Sequence, residues 1–289
     1  MKYGIYYAYW EKEWNNNFIP YIEKCKKLGF DILEIACGAF DKMDEEFFIS
    51  MREKSEEAGI ILTGGYGPRP EHNIASKSAQ EIEKTFLFYK DVFHKMELAG
   101  IDRIGGALYS FWPVDYSEVP DKKGDWERSV RNMRILADMA EAHGITLNME
   151  VLNRFEGYLL NEASEAVAYV KDVNCPNVKV MLDTFHMNIE EESITDAIRL
   201  TGNYLGHVHI GEANRRCPHP ESRMGWEEIG KALKDINYEG YVVMEPFTQM
   251  GGQVGKDIRL WRDLSQKADI TGLDKEAAES LEYIRKVME

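Results

Sequence analysis

The stretch Leu28-Gly29-Phe30-Asp31-Ile32-Leu33-Glu34-Ile35-Ala36 sets the reading of the whole chain. A charged amphipathic segment ends at Leu28, a glycine follows, and an apolar, β-rich run begins. Glycine just past a helix end adopts the left-handed cap conformation, and the residues after it start a strand. The same unit recurs at Ala58-Gly59-Ile60, Ala99-Gly100-Ile101, His143-Gly144-Ile145 and, slightly varied, Glu239-Gly240-Tyr241. A helix–Gly–strand unit repeated every few tens of residues means βα repeats.

Outward from these junctions the chain offers eight candidate strands, at 3–8, 31–36, 60–65, 103–108, 146–152, 178–185, 205–211 and 241–247. Helix-like stretches lie between and after them, at 15–28, 45–58, 79–98, 126–143, 162–172, 193–200, 226–236 and 254–263. Several strands are apolar on both faces, as expected when one face fills a barrel and the other meets helices. Eight strands alternating with helices in 289 residues predict an α/β fold, a closed (β/α)8 TIM barrel. Residues 274–288 read as an extra C-terminal helix. No linker or low-complexity segment divides the chain, so 1–289 is expected to be one catalytic domain.

The composition, 44% hydrophobic and 29% charged, is that of an ordinary soluble globular protein. No run of 18 apolar residues exists, and a membrane helix is not expected. Met1-Lys2-Tyr3-Gly4-Ile5 enters a strand directly, without the apolar core and cleavage site of a secretory leader. The four cysteines are scattered and form no CxxC pair, which fits a reduced, cytoplasmic enzyme. Lys and Arg number 35 against 50 Asp and Glu, a net charge of −15. Such a surface repels a phosphate backbone, so a nucleic-acid partner is not expected.

In this architecture the active site lies where the strands end. Strand 5 carries Glu150, strand 6 Asp183, strand 7 His209 and strand 8 Glu245. A carboxylate embedded in an apolar strand is unfavourable unless it is paired, hydrogen-bonded or bound to a metal. Any one of these has an ordinary reading as a buried salt bridge or cap, but four on neighbouring strands do not. Three carboxylates and one imidazole suit a single hard divalent ion such as Mn²⁺, Mg²⁺ or Co²⁺. His207, two residues before His209, points to the same side one layer deeper and reads as a hydrogen-bonded core residue. His186 follows strand 6 and reads as a substrate contact or a support of the metal ligands. In the loop after strand 7, Arg215 could reach a ligand oxygen, whereas Arg216 reads as solvated. Tyr6, Trp14, Tyr66, Trp112 and Phe247 fall at or just past strand ends, where aromatic faces suit a sugar skeleton. The Gly251-Gly252-Gln253-Val254-Gly255 loop occupies a position where barrels often bind phosphate, yet a lid or tight turn needs the same glycines.

The segments Gly4-Ile5-Tyr6-Tyr7-Ala8-Tyr9-Trp10, Gly105-Gly106-Ala107-Leu108-Tyr109, Glu150-Val151-Leu152-Asn153-Arg154-Phe155-Glu156, Met181-Leu182-Asp183-Thr184-Phe185-His186-Met187-Asn188 and Met244-Glu245-Pro246-Phe247 resemble the ketose 3-epimerases. These are the D-allulose (D-psicose) and D-tagatose 3-epimerase group of the xylose-isomerase-like barrels. The resemblance implies one Mn²⁺ or Co²⁺ held by Glu150, Asp183, His209 and Glu245. It places Glu156, His186 and Arg215 at the O1–O3 end of the sugar and Tyr6, Trp112, Trp14 and Phe247 along its wall. Tyr66 faces the far end, where the family varies. A homo-oligomer, dimer or tetramer, is also implied.

Inverting C3 of a ketose requires removing the proton beside the C2 carbonyl and returning one to the opposite face. Lewis-acid stabilisation of the enediolate and two acid/base groups meet that need, and Glu150 and Glu245 are assigned those roles. The alternative is an aldose–ketose isomerase or an inosose dehydratase on the same barrel. A DNA-repair endonuclease of this superfamily would want a His-rich multi-zinc site and a basic rim, against seven histidines and −15 here. A sugar-binding protein would have no use for two carboxylates beside the metal.

Overall fold

A computed structural model describes residues 1–14 and 17–289. Its strands and helices follow in the order β1 (Lys2–Tyr6), α1 (Ile19–Leu28), β2 (Ile32–Ala36), α2 (Glu45–Ala58), β3 (Ile61–Gly65), α3 (Ala79–Ala99), β4 (Arg103–Gly106), α4 (Lys122–Glu141), β5 (Thr146–Glu150), α5 (Ala163–Val173), β6 (Val178–Asp183), α6 (Thr184–Glu190), α7 (Ile194–Thr201), β7 (Leu205–Ile210), α8 (Trp226–Asp235), β8 (Tyr241–Met244), α9 (Gly252–Asp257) and α10 (Ile270–Met288). The eight strands pair in parallel in sequence order, and β8 returns to β1 to close the barrel. Left-handed glycines end α1, α2 and α3 as the repeat predicts. At Gly240 that expectation fails: Asn237, with φ of 54°, makes the left-handed turn instead.

All eight predicted strands form, but several end early. Strand 1 stops at Tyr6, and Tyr7–Trp10 is a 3-10 turn with every residue buried. Strand 6 stops at Asp183 rather than 185, because the Asp183 carboxylate accepts the Phe185 N–H (2.8 Å) and caps α6. That helix was not expected, and it lifts His186 off the strand. The expected helix at 15–28 begins at Ile19, its first two positions lying outside the described residues. The helix expected at 254–263 is only Gly252–Asp257, since Arg259 turns left-handed (φ 59°) and Leu260 N–H bonds back to Gly255.

A helix of six residues cannot cover the outer face of β8. The extra helix α10 does so: Ser280 lies against Met244, and Tyr9 donates to the Leu273 carbonyl (3.1 Å). Its period buries Leu273, Leu281, Ile284 and Met288, each worth roughly 1.5–3 kcal/mol of apolar burial. Among the described residues no helix is long and apolar enough to cross a membrane.

Candidate active site

The strand ends bring the four predicted ligands together. Glu150 closes β5, Asp183 closes β6, His209 is the penultimate residue of β7, and Glu245 follows β8. Register puts Asp183 level with His209, and His209 level with Val243. One donor atom from each of the four lies within 4.8 Å of the others. Within these residues Asp183 Oδ2 and His209 Nδ1 are buried and make no hydrogen bond. Orphaned acceptors at the centre of three carboxylates are unfavourable by themselves and are what a cation satisfies. The donor set, three oxygens and a nitrogen with no thiolate, fits a hard divalent ion.

The two glutamates differ electrostatically. Burial and then the facing Glu245 carboxylate push Glu150 well above the usual carboxylate range. Burial acts on Glu245 in the same direction, but His209 and the Arg215 guanidinium outweigh it and hold Glu245 low. Arg215 Nη1 donates to Glu245 Oε2 at 2.9 Å, and Nη2 donates to both oxygens of Glu156 at 3.0 and 3.2 Å. The guanidinium lies 4.0 Å from the Phe185 ring centre. Against the effect of burial, Arg215 brings Glu156 down to about 2. Trp112 Nε1 (3.2 Å) and Asn153 Nδ2 (3.3 Å) also donate to Glu156.

His186 sits on the first turn of α6, its Nε2 3.7 Å from both Glu150 and Asp183, too far for a hydrogen bond. The Asn153 backbone N–H donates to His186 Nδ1 (3.2 Å), which leaves the ring proton on Nε2, facing the site. Tyr6, Trp14, Tyr66, Trp112 and Phe247 all line a cavity of about 600 Å³ above the cluster, open to solvent. Gly105 and Gly106 form part of its wall. Gly106 has φ of 130°, and a Cβ there would fall 2.0 Å from the Tyr66 carbonyl oxygen, so only glycine fits. Tyr66 is fixed by its hydroxyl contact to His72 Nδ1 (2.5 Å).

The glycine-rich segment opens the short helix α9 and is tied to the neighbouring loop after β1. Gln253 N–H bonds Glu13, Val254 N–H bonds the Lys12 carbonyl, and Trp14 Nε1 donates to Asp257 at 2.7 Å. Two of the amides that could cradle an anion, those of Gln253 and Val254, are thus taken by protein acceptors. Arg216 departs from the solvated reading: half-buried, it pairs with Glu276 of α10 (2.9 Å) because α10 lies over this loop. His207 is buried as expected, its Nε2 3.0 Å from Glu34, but contrary to the expectation neither ring nitrogen makes a hydrogen bond. Glu34 itself was overlooked. It is buried on β2, lines the cavity and bonds His209. Its signal, an acid inside Ile32-Leu33-Glu34-Ile35, is the same one that marks Glu150, Asp183, His209 and Glu245. Asn153 and Asp257, the partners of His186 and Trp14, carry no comparable sequence signal.

A barrel with its charged cluster at the strand ends defines the class: the chain belongs to the xylose isomerase-like TIM barrel family, whose model matches residues 22–286. Within that family several relatives that match nearly the whole chain are epimerases. A D-psicose 3-epimerase of Ruminiclostridium cellulolyticum is 52% identical over 289 residues, covering 100% of this chain and 98% of the relative. One of Agrobacterium fabrum is 51% identical over 288 residues, covering 100% and 99%. The crystal structure of D-psicose 3-epimerase with D-tagatose from Clostridium cellulolyticum H10 superposes with a TM-score of 0.98 at 52% identity, covering 100% of both chains. The chain is an isomerase-class enzyme, an epimerase.

Proposed function

We propose that the chain inverts C3 of unphosphorylated ketohexoses, interconverting D-fructose and D-allulose, with D-tagatose and D-sorbose as a second pair. The observation that carries this is the convergence of Glu150 and Glu245, from strands three places apart, on one cluster beneath a cavity walled by aromatic rings. The activity printed for the relatives points the same way. The whole of 1–289 acts as one catalytic domain in this reading.

Glu150, Asp183, His209 and Glu245 would hold one divalent ion, Mn²⁺ first and Co²⁺ or Mg²⁺ after it, supplying Lewis-acid stabilisation of charge on the sugar oxygens. Glu150 and Glu245 work on C3 from opposite faces. One takes the C3 proton as the C–H electron pair moves into the C2 carbonyl, giving a cis-enediolate, and the other returns a proton on the far face. Arg215 and Glu156 orient the O1–O2 end, and His186 donates its Nε2 proton to O2. Tyr6, Trp112, Trp14 and Phe247 wall the carbon skeleton and exclude water, and Tyr66 limits the far end. The occupied amides of the glycine-rich loop support a free sugar over a phosphate. We place the enzyme in the cytoplasm as a homo-oligomer, a dimer or tetramer. The four unpaired cysteines support a reducing compartment, and light scattering tests the assembly.

Sugar chromatography after incubation with D-fructose, D-allulose and D-tagatose in the presence of Mn²⁺ tests the reaction. The expected products are C3 epimers. Aldoses would identify an isomerase instead, dehydration of an inosose would identify a dehydratase, and a clear preference for ketose phosphates would overturn the free-sugar reading.

A further inference from the structure

Glu34 is the one fully buried carboxylate near the cluster outside the four ligands that touches a ligand, among the described residues. It lies on β2, across the barrel lumen from β7, and is 1% exposed. Its Oε1 is 2.5 Å from His209 Nε2. Its Oε2 accepts the Thr63 hydroxyl (2.8 Å) from the paired position on β3, and His207 Nε2 lies 3.0 Å away. The hydrogen-bonding groups on Glu34 are thus the Thr63 hydroxyl, which can only donate to it, and the His209 ring. An ionised carboxylate so placed requires the hydrogen of His209 to be on Nε2. The other nitrogen, Nδ1, then presents its lone pair toward Glu150 (3.9 Å) and Glu245 (3.6 Å), where it is buried and without a hydrogen bond.

We infer that Glu34 is a positioning residue for the metal site: it fixes the tautomer and ring angle of His209 so that Nδ1 is the ligand atom, and it raises that atom's basicity. Carboxylate–histidine pairs behind a metal act in this way, and losing the carboxylate typically lowers metal affinity by about 10–100-fold. The inference rests on the four-ligand reading of the site given above. Glu34, His207 and His209 also have donor atoms close enough to suggest a second ion among themselves. The Glu34–His209 contact argues against it, because the two atoms hydrogen-bond each other directly at 2.5 Å, closer than two ligands of one ion stand.

The test titrates metal-free protein with Co²⁺, following its visible absorption, for the unmodified chain and for Glu34→Gln. One ion per chain is expected in both, with the Kd of the variant about 10–100-fold higher and unchanged far-ultraviolet circular dichroism. Equal affinity would overturn the role of Glu34 while leaving the four-ligand site intact. Two ions in the unmodified chain and one in the variant would overturn it in favour of a second site. No binding to the unmodified chain would remove the metal-site reading and this inference together. A second measurement needs no variant. In Zn²⁺-loaded, ¹⁵N-histidine-labelled protein, His209 should show a proton on Nε2 and a metal-shifted Nδ1. The reverse pattern would overturn the proposal even if Glu34→Gln fails to fold.

Discussion

At the floor of the barrel, where the strands begin, Arg285 donates to Asp31 (2.8 Å), and Arg103 bonds Asp102 (2.9 Å) while lying over the Tyr241 ring at 3.8 Å. At the mouth, where they end, Glu150, Asp183 and Glu245 crowd one imidazole, and Arg215 serves Glu245 and Glu156 alone. Both ends use the same kinds of side chain. On the floor each charged group finds an opposite charge with water in reach, and Arg285 and Asp31 also bond the Gly29 carbonyl and the Tyr3 amide. The mouth buries them with acceptors left over at Asp183 Oδ2 and His209 Nδ1. A surplus of buried acceptors is a demand for a ligand, whereas a balanced pair at the surface is only structure.

The largest consequence of that contrast lies in the two glutamates. Glu150→Gln and Glu245→Gln should each lower kcat/KM by about 10²–10⁴. Metal content must be measured alongside the rate, since loss of the ion would produce the same inactivity. Product formed by the unmodified enzyme in D₂O should carry deuterium at C3. Retention of the original hydrogen, together with active metal-loaded Gln variants, would assign proton transfer to another group.

Chelation comes next. Removing divalent ions should abolish turnover, and Mn²⁺ or Co²⁺ should restore it. An ion present at a hundred times its Kd stabilises the folded state by about 2.7 kcal/mol. Calorimetry should register that as a rise in Tm of about 5 °C or more. Full activity in a preparation shown by elemental analysis to be metal-free would erase the distinction between mouth and floor.

Arg215→Lys keeps the charge but loses the fork that spans Glu245 and Glu156. A fall in kcat/KM of about ten- to a hundredfold is expected, because a lysine cannot serve both carboxylates in that planar geometry. Steady-state kinetics on D-fructose would show it, and an unchanged value would mean that the bridge is packing alone. The smallest effect belongs to the floor. Asp31→Asn should alter stability by less than about 1 kcal/mol and leave kcat/KM unchanged. A loss of activity there would show that the two ends are coupled.

Much of this was legible without coordinates. The repeated glycine caps and apolar runs predict all eight strands because hydrophobic period and capping are local properties. Glu150, Asp183, His209 and Glu245 stood out because an ionisable group inside an apolar run is conspicuous in any single strand. Strand ends were read too long where a polar residue began something new. Asp183 is the clear instance, being at once the end of β6, the cap of α6 and a member of the cluster. Glu34 meets the same criterion as the four, but it stands alone on β2, outside the run of consecutive strands 5 to 8 that makes the others conspicuous as a group.

The sequence alone thus determined the barrel, its extra helix and the chemical character of the mouth, all of which depend on residue type and short-range spacing. Only the tertiary structure decided which groups meet across the lumen. Glu34 reaches His209 over 175 residues of chain, Arg215 reaches Glu156 over 59, and Trp14 reaches Asp257 over 243. Those contacts exist because ring closure sets the distance between opposite strands and between loops on the same rim. Nothing in the periodicity of one strand carries information about the strand that faces it.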